Sequence, residues 1–257
     1  MIRKILLSPA IRPFTLILLL LVLWDLSIRL FQVPAYLIPP PGQVVDQLIA
    51  EWARLLKESW KTTQATLGGF ALTIVIGIPL AMVIAYSKLV ESYVYPLLVF
   101  SQSIPKVAIA PLFVVWFGFG IVPKIISAFL LGFFPVVVST VMGFKSVEPD
   151  MLDLARSMGA SRLQTFFKIS LPQALPAIFS GLKVSITLAV VGAVVGEFVG
   201  SNSGIGYVLQ VATGNFDLPL MFAALVVLSS IGVILFMLVD LVERLMIPWH
   251  PSQNQIV

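Results

Sequence analysis

Apolar residues in this chain come in long unbroken runs rather than in the alternating or helical-face patterns of a water-soluble domain. Stretches of about 20 residues almost free of charge recur between short clusters of Arg, Lys, Asp and Glu. About 20 apolar residues in a helix cross the roughly 30 Å hydrocarbon layer of a bilayer. The pattern therefore predicts six transmembrane helices, at about residues 14–31, 62–86, 93–117, 122–144, 175–199 and 218–241. The second carries Gly68, Gly69, Gly77 and Pro79. The third holds Pro96, Pro105 and Pro111, and must be kinked or interrupted because proline has no N–H to donate and crowds the preceding turn. Residues 33–42, with Pro34, Pro39, Pro40 and Pro41, predict an extended loop, followed by a polar amphipathic segment over residues 44–57. Arg3, Lys4 and Arg12 ahead of the first run look like the start of a signal peptide. The run is too long for one and no small-x-small cleavage site follows, so it reads as an uncleaved first helix.

Composition changes the picture in one direction. With 59% hydrophobic and 11% charged residues, against about 45–50% and about 25% in soluble domains, the fold class is all-α integral membrane. The absence of Cys excludes disulfides, thiolate nucleophiles and Cys-ligated metals. One His, His250, near the C-terminus, leaves no basis for a Ser-His catalytic site or a His-ligated metal within the membrane. Neither an enzyme nor a metal site is expected. The net charge of +4 is loop charge that sets orientation, not a nucleic-acid surface. With the N-terminus inside, nine Lys and Arg fall on the inside, five outside and two, Lys106 and Lys183, within spans. The positive-inside rule then places both termini in the cytoplasm.

The loop over residues 145–172 is the longest on that side. Pro149 suits a first helical turn, Glu148 and Asp150 its positive end, and Gly159 a C-terminal stop, which predicts a short helix over residues 149–158. Met151, Leu154, Ala155 and Met158 fall at i, i+3, i+4 and i+7 and form one apolar stripe. Ser161 with Gln164 reads as a capping box opening a second helix. Two readings of the stripe stand: packing against the chain's own spans or the lipid surface, and docking into a groove on a cytoplasmic partner.

Asp153-Leu154-Ala155, Gly159 and, nine residues on, Ile169-x-Leu171-Pro172 resemble the EAA loop, E-A-A-x3-G-x9-I-x-L-P, of ATP-binding-cassette (ABC) importer permeases. Asp153 stands where Glu is usual and Leu154 where Ala is usual. The resemblance extends to Ile104-Pro105, Ala110-Pro111-Leu112, Trp116-Phe117-Gly118-x-Gly120, Gly196-Glu197-Phe198, Gly204-x-Gly206 and Pro248-Trp249-His250. These are similar to the nitrate, sulfonate, taurine and bicarbonate permease group, and to thiamine-precursor pyrimidine, riboflavin and aromatic-acid permeases. The resemblance implies a type I, MetI-like permease fold in the bacterial plasma (inner) membrane. It also implies pairing with a second permease copy, two ABC ATPase subunits docked through the loop, and an external solute-binding protein. Coupling would involve Met151, Asp153, Leu154, Ala155, Met158 and Gly159. The chain has no G-x4-G-K-[ST] phosphate loop, so it binds no cofactor on this reading, and ATP and Mg belong to the partner ATPase. Residues 1–58 would hold the first helix and external segment, 59–245 the permease domain with its coupling loop, and 246–257 a cytoplasmic tail.

Polar residues inside spans are functional candidates by default. Gln102, Ser103, Lys106, Ser185 and Glu197 are the possible pathway residues, with Thr187 beside them; each polar position also fits helix-to-helix hydrogen bonding. Lys106 would bind an anionic group or pair with Glu197, or snorkel. Glu197 would line the pathway or, near the outer end, reach water or a neighbouring cation. Gly192, Gly196 and Gly200 form a small-residue ridge expected to pack against another helix. Asp25 and Arg29 read as a self-neutralising i,i+4 pair, and Lys183, Asp240, Glu243 and Arg244 as interfacial anchors. The expected function is import of a small polar or anionic nutrient, with a pyrimidine, flavin or aromatic acid as alternative. An ATPase-independent channel or secondary transporter is the rival from another class, but neither an internal repeat nor many midplane charges support it.

Overall fold

The computed structural model describes residues 12–34 and 37–249, and every regular element among them is helical. Arg3, Lys4 and the expected tail from His250 onward lie outside the described residues. Helix α1 (Arg12–Phe31) is the first expected span, with the Asp25–Arg29 pair closed at 2.8 Å. After the proline-rich stretch, α2 (Pro41–Ala50) opens on Pro41, whose missing N–H would be unpaired in a first turn anyway. The next helix starts at Trp52, ten residues before the span expected from hydropathy. Nothing from Trp52 to Lys61 is a helix breaker, so the polar segment continues the span instead of preceding it.

That helix runs as α3 (Trp52–Leu72), a π-helical turn at Thr73–Gly77, and α4 (Ile78–Tyr86), 35 residues in all. A second π turn, Phe166–Ser170, links α9 (Arg162–Thr165) to α10 (Leu171–Gly200). Both π turns end two residues before a proline, Pro79 and Pro172. A proline ring clashes with the carbonyl four residues back, and here that carbonyl belongs to Val75 or Lys168, inside the widened turn. The extra residue absorbs the clash, and the helix continues.

The third span is interrupted: α5 (Lys88–Gln102) and α6 (Lys106–Phe117) meet at 96°. Helix α7 (Ile121–Lys145) follows, then the short α8 (Pro149–Ser157) with α9 and α10, then α11 (Ile205–Gly214) and α12 (Leu218–Met246). By length and composition, four helices among the described residues are able to cross a membrane, and the bent pair makes five. Six were expected. The expected first span, α1, is not among these five. Helix α11, 10 residues long, is too short to cross and was not expected at all.

The centre of the molecule is the α7–α10 pair, flanked by α3 and α4 on one side, α6 near one end, and α11 and α12 on the other. Gly192 and Gly196 let these two backbones meet. A Cβ on Gly192 would sit 2.6 Å from the Ala128 Cα, and one on Gly196 would sit 2.8 Å from the Lys124 Cα. Ala128, Ala189 and Ala193 fill the same contact and are fully buried. Gly200, last of the ridge, packs instead on Val114 of α6 and on Phe119. In lipid, where apolar surface gains nothing by leaving the solvent, such close van der Waals contact is what associates helices. Replacing Gly192 by Val should therefore push α7 and α10 apart and cost about 1–3 kcal/mol. Thermal unfolding in detergent should show a clearly lowered midpoint; an unchanged midpoint would contradict the packing.

Candidate functional site

Three groups of residues carry chemistry, and they lie at different depths along the α7–α10 pair. The first is the loop that joins these helices. Helix α8 begins on Pro149, with Asp150 in its first turn and Arg156 in its last. It ends in a Schellman motif: the Ala160 N–H donates to the Ala155 carbonyl and the Gly159 N–H to the Arg156 carbonyl, each at 3.0 Å. Gly159 takes the left-handed conformation this requires, with φ +77°. Ser161 and Gln164 then form a reciprocal capping box. One residue of the stripe, Ala155, is buried, whereas Met151, Leu154 and Met158 are 47, 62 and 78% exposed. They line a cleft of about 500 Å³ with Gln164, Lys168 and Ile169. Asp153 is bonded to Arg156 at 2.8 Å, both side chains in the open.

The loop is braced to the spans at its root. Phe166 stacks on Phe144 at the end of α7, centroids 5.9 Å apart, and Tyr86 at the end of α4 tilts against both at 5.7 and 6.3 Å. Lys145 pairs with Glu91 of α5. Sequence reading missed these contacts because the aromatics lie in three separate segments with no shared pattern.

The second group lies at the far end of α10, some 26 residues and about 40 Å from its start. Glu197 is fully buried. Its carboxylate accepts from the Thr62 hydroxyl at 2.9 and 3.0 Å and from the Gly206 N–H at 2.8 Å, and Lys124 Nζ lies 3.7 Å away. The Ile205 N–H donates to Thr62 Oγ1 at 2.8 Å, and the Gly204 N–H to Glu58 at 2.6 Å. The N-terminal N–H groups of α11, which no helix satisfies internally, are thus capped by α3 and α10, with two carboxylates at the positive end of the helix. Lys124 also donates to the Ser203 carbonyl at 2.7 Å. Gly204, at φ +104°, has no room for a Cβ because the Glu197 carboxylate occupies that place.

The expected Lys106–Glu197 partnership is therefore replaced by Lys124–Glu197, and Glu197 reaches neither water nor an open pathway here. From the sequence, Lys124 counts among the outside loop cations, and Thr62 and Glu58 have no role. The Gly204-x-Gly206 motif was the available signal, but nothing in the sequence pointed it at Glu197. Ser185 is likewise sealed: fully buried with an unpaired hydroxyl, it fills the space beside Gly132 between α10 and α7. Thr187 is bonded to its own helix at the Val184 carbonyl. Lys183 lies between Asp240 at 2.6 Å and Glu243, and Asp240 also holds Arg244 at 2.8 Å, so these four expected anchors form one ionic cluster between α10 and α12.

The third group is at the break. Lys106 opens α6 and donates to Gln102 Oε1 at 3.0 Å, with the Phe134 ring centroid 6.0 Å from its Nζ. Ser103 caps the end of α5 in the same turn and is exposed. Gln102, Ser103 and Lys106 are brought together; Ser185 and Glu197 are not with them. Among the described residues, no group of three or more His, Asp or Glu is placed to hold a metal ion.

Comparison with known proteins decides the family. Residues 74–248 match the family described as "Binding-protein-dependent transport system inner membrane component". The chain belongs to this family of ABC transporter permeases. It is 39% identical to the formylaminopyrimidine transport permease protein ThiX of Halalkalibacterium halodurans, over 95% of this chain and 98% of that one. It is 37% identical to the riboflavin transport system permease protein RibX of Chloroflexus aurantiacus, over 93% and 90%. Its fold is similar to that of the MetNI methionine ABC transporter in an inward-facing conformation, with a TM-score of 0.60 at 22% identity over 76% of this chain and 95% of that one. An ABC permease is a transport subunit whose ATP hydrolysis is supplied by a partner.

The buried pair of this permease makes a measurable claim. Breaking one partner of a buried ion pair strands the other, at a cost of about 3–5 kcal/mol, whereas removing both is often near neutral. Lys124→Met and Glu197→Gln should each lower the thermal midpoint in detergent, and the double variant should lose clearly less than the sum. Strict additivity would show that the two side chains do not interact.

Proposed function

We propose that the chain is the membrane-spanning permease subunit of an ATP-driven importer, carrying a small nutrient handed over by an external solute-binding protein. It works with a second copy of itself and two ATPase subunits, in the bacterial plasma membrane with both termini in the cytoplasm. Residues 59–245 form the transport domain on this reading, and residues 145–172 its coupling loop.

The observation that carries the proposal is the exposure of Met151, Leu154 and Met158 on a helix whose every end is tied down. A stripe free to pack against its own spans would be covered; only Ala155 is. Exposed methionines and a leucine over a cleft of about 500 Å³ are suited to an apolar groove on a partner. The aromatic root at Phe144, Phe166 and Tyr86 supports a lever: a push on α8 is passed to α4, α7 and α10 together rather than dissipated in a loose loop.

For the solute, the identity to ThiX and RibX over nine tenths of each chain favours a nitrogen heterocycle of the pyrimidine or flavin kind. A sulfonate, taurine, nitrate or bicarbonate-like anion is the second reading, favoured by Lys106 having an amide and a ring, but no carboxylate, at hand.

Leu154→Asp tests the coupling role without disturbing the chain's own packing, since Leu154 touches solvent. Placing a charge in an apolar docking site should cost about 2 kcal/mol or more. Solute-stimulated ATP hydrolysis of the reconstituted complex should fall at least about tenfold, with insertion into the membrane intact. Unchanged stimulation would remove the loop from the coupling path.

A further inference from the structure

We infer that Lys106, Gln102 and Phe134 form the solute-contacting site of this permease, and that the site is built for a planar heteroaromatic ring bearing an acceptor oxygen. The inference rests on the importer reading and its heterocyclic solute, and adds the side chains that recognise the ring.

Depth comes first. Lys106 Nζ lies over Phe134, which is 13 residues into α7, or about 20 Å from the start of a 25-residue helix. In a hydrocarbon layer about 30 Å thick, that is near the middle. A lysine stem reaches too short a distance to carry its charge from there to either surface, so snorkelling does not account for it.

Charge compensation comes second. Lys124 and Lys183, the other two lysines drawn into the helical body, each have a carboxylate within 4 Å. Lys106 has none among the described residues; its neighbours are an amide oxygen and a ring. A charge at this depth faces a bundle interior or a watery cavity, not lipid. The backbone also turns by 96° between α5 and α6, and non-helical backbone at membrane depth occurs only where it is buried in protein or lines a cavity.

The chemistry of the three groups comes third. An ammonium donates to a carbonyl or anionic oxygen, the Gln102 amide supplies both a donor and an acceptor for a ring edge, and Phe134 offers a face or edge to an aromatic plane. A small anion would accept from the ammonium and the Gln102 amide N–H but brings no ring to Phe134. A pyrimidine or flavin ring uses all three. Ser103, one residue from Gln102 and exposed, adds a hydroxyl at the rim.

The chain contains no cysteine, which makes a single introduced thiol readable. Gln102→Cys in the assembled permease–ATPase complex, in proteoliposomes with a binding protein, should react with a water-soluble methanethiosulfonate. Riboflavin or a formylaminopyrimidine should slow that reaction several-fold, and taurine should not. Alongside, Lys106→Met should lower uptake of the protecting heterocycle at least about tenfold and Lys106→Arg much less, with ATPase assembly unchanged. Reaction only with a lipophilic maleimide, protection by taurine as strong as by the heterocycles, no protection by any of these solutes, or full uptake by Lys106→Met would each overturn the site. ATP hydrolysis by the same vesicles reports the importer reading separately: its presence with an unprotected thiol sinks the site alone, and its absence, with no ATPase retained, sinks both.

Discussion

The backbone contact between α7 and α10 is the constraint on which the rest of the structure depends. A bilayer offers no hydrophobic gain for bringing two apolar helices together, so association needs close packing and satisfied polar groups. Gly192 and Gly196 supply the first by admitting Ala128 and Lys124 to within less than a side chain's width of the α10 backbone. Because α7 and α10 are also the two helices that the residue 145–172 segment connects, that segment leaves one tightly joined pair and returns to it. Whatever moves α8 acts on the core directly.

The polar groups follow the same economy. At the far end of the pair, a buried carboxylate, a lysine and a threonine would each be costly alone. Together they satisfy one another and cap the first N–H groups of α11, fixing a helix too short to cross the membrane by itself. Nearer the loop, Lys183, Asp240, Glu243 and Arg244 neutralise each other between α10 and α12. Lys106 departs from this pattern, since a ring and an amide do not compensate a full charge. The contrast, rather than the lysine itself, singles out the break between α5 and α6.

Much of this was legible in the sequence. Run length identified five of the six expected spans, proline the interruption near residue 105, and Pro149, Gly159, Ser161 and Gln164 the loop helices with their ends, because caps and stops are local and depend on neighbouring residues. What the sequence did not disclose was non-local or below the resolution of hydropathy. Helix α11 lacks the length that marks a span. The partner of Glu197 is 73 residues away on a helix whose lysine looked like loop charge. Neither π turn has a composition of its own; each is legible only once the proline two residues beyond it is set in a continuous helix. Hydropathy also misplaced the start of the second span, since polar residues at a helix end lower the average without ending the helix.

The central claim is that this permease is moved by a separate ATPase through the loop at the α7–α10 hairpin. Native mass spectrometry of the chain released from its own membranes in mild detergent tests it most directly. The account predicts two copies of the chain with two copies of an ATPase subunit, and loss of that subunit, with the permease dimer kept, when the exposed Met158 is replaced by Glu. Permease released without any ATPase across several mild detergents, or an ATPase bound equally well by the Met158→Glu variant, would contradict it.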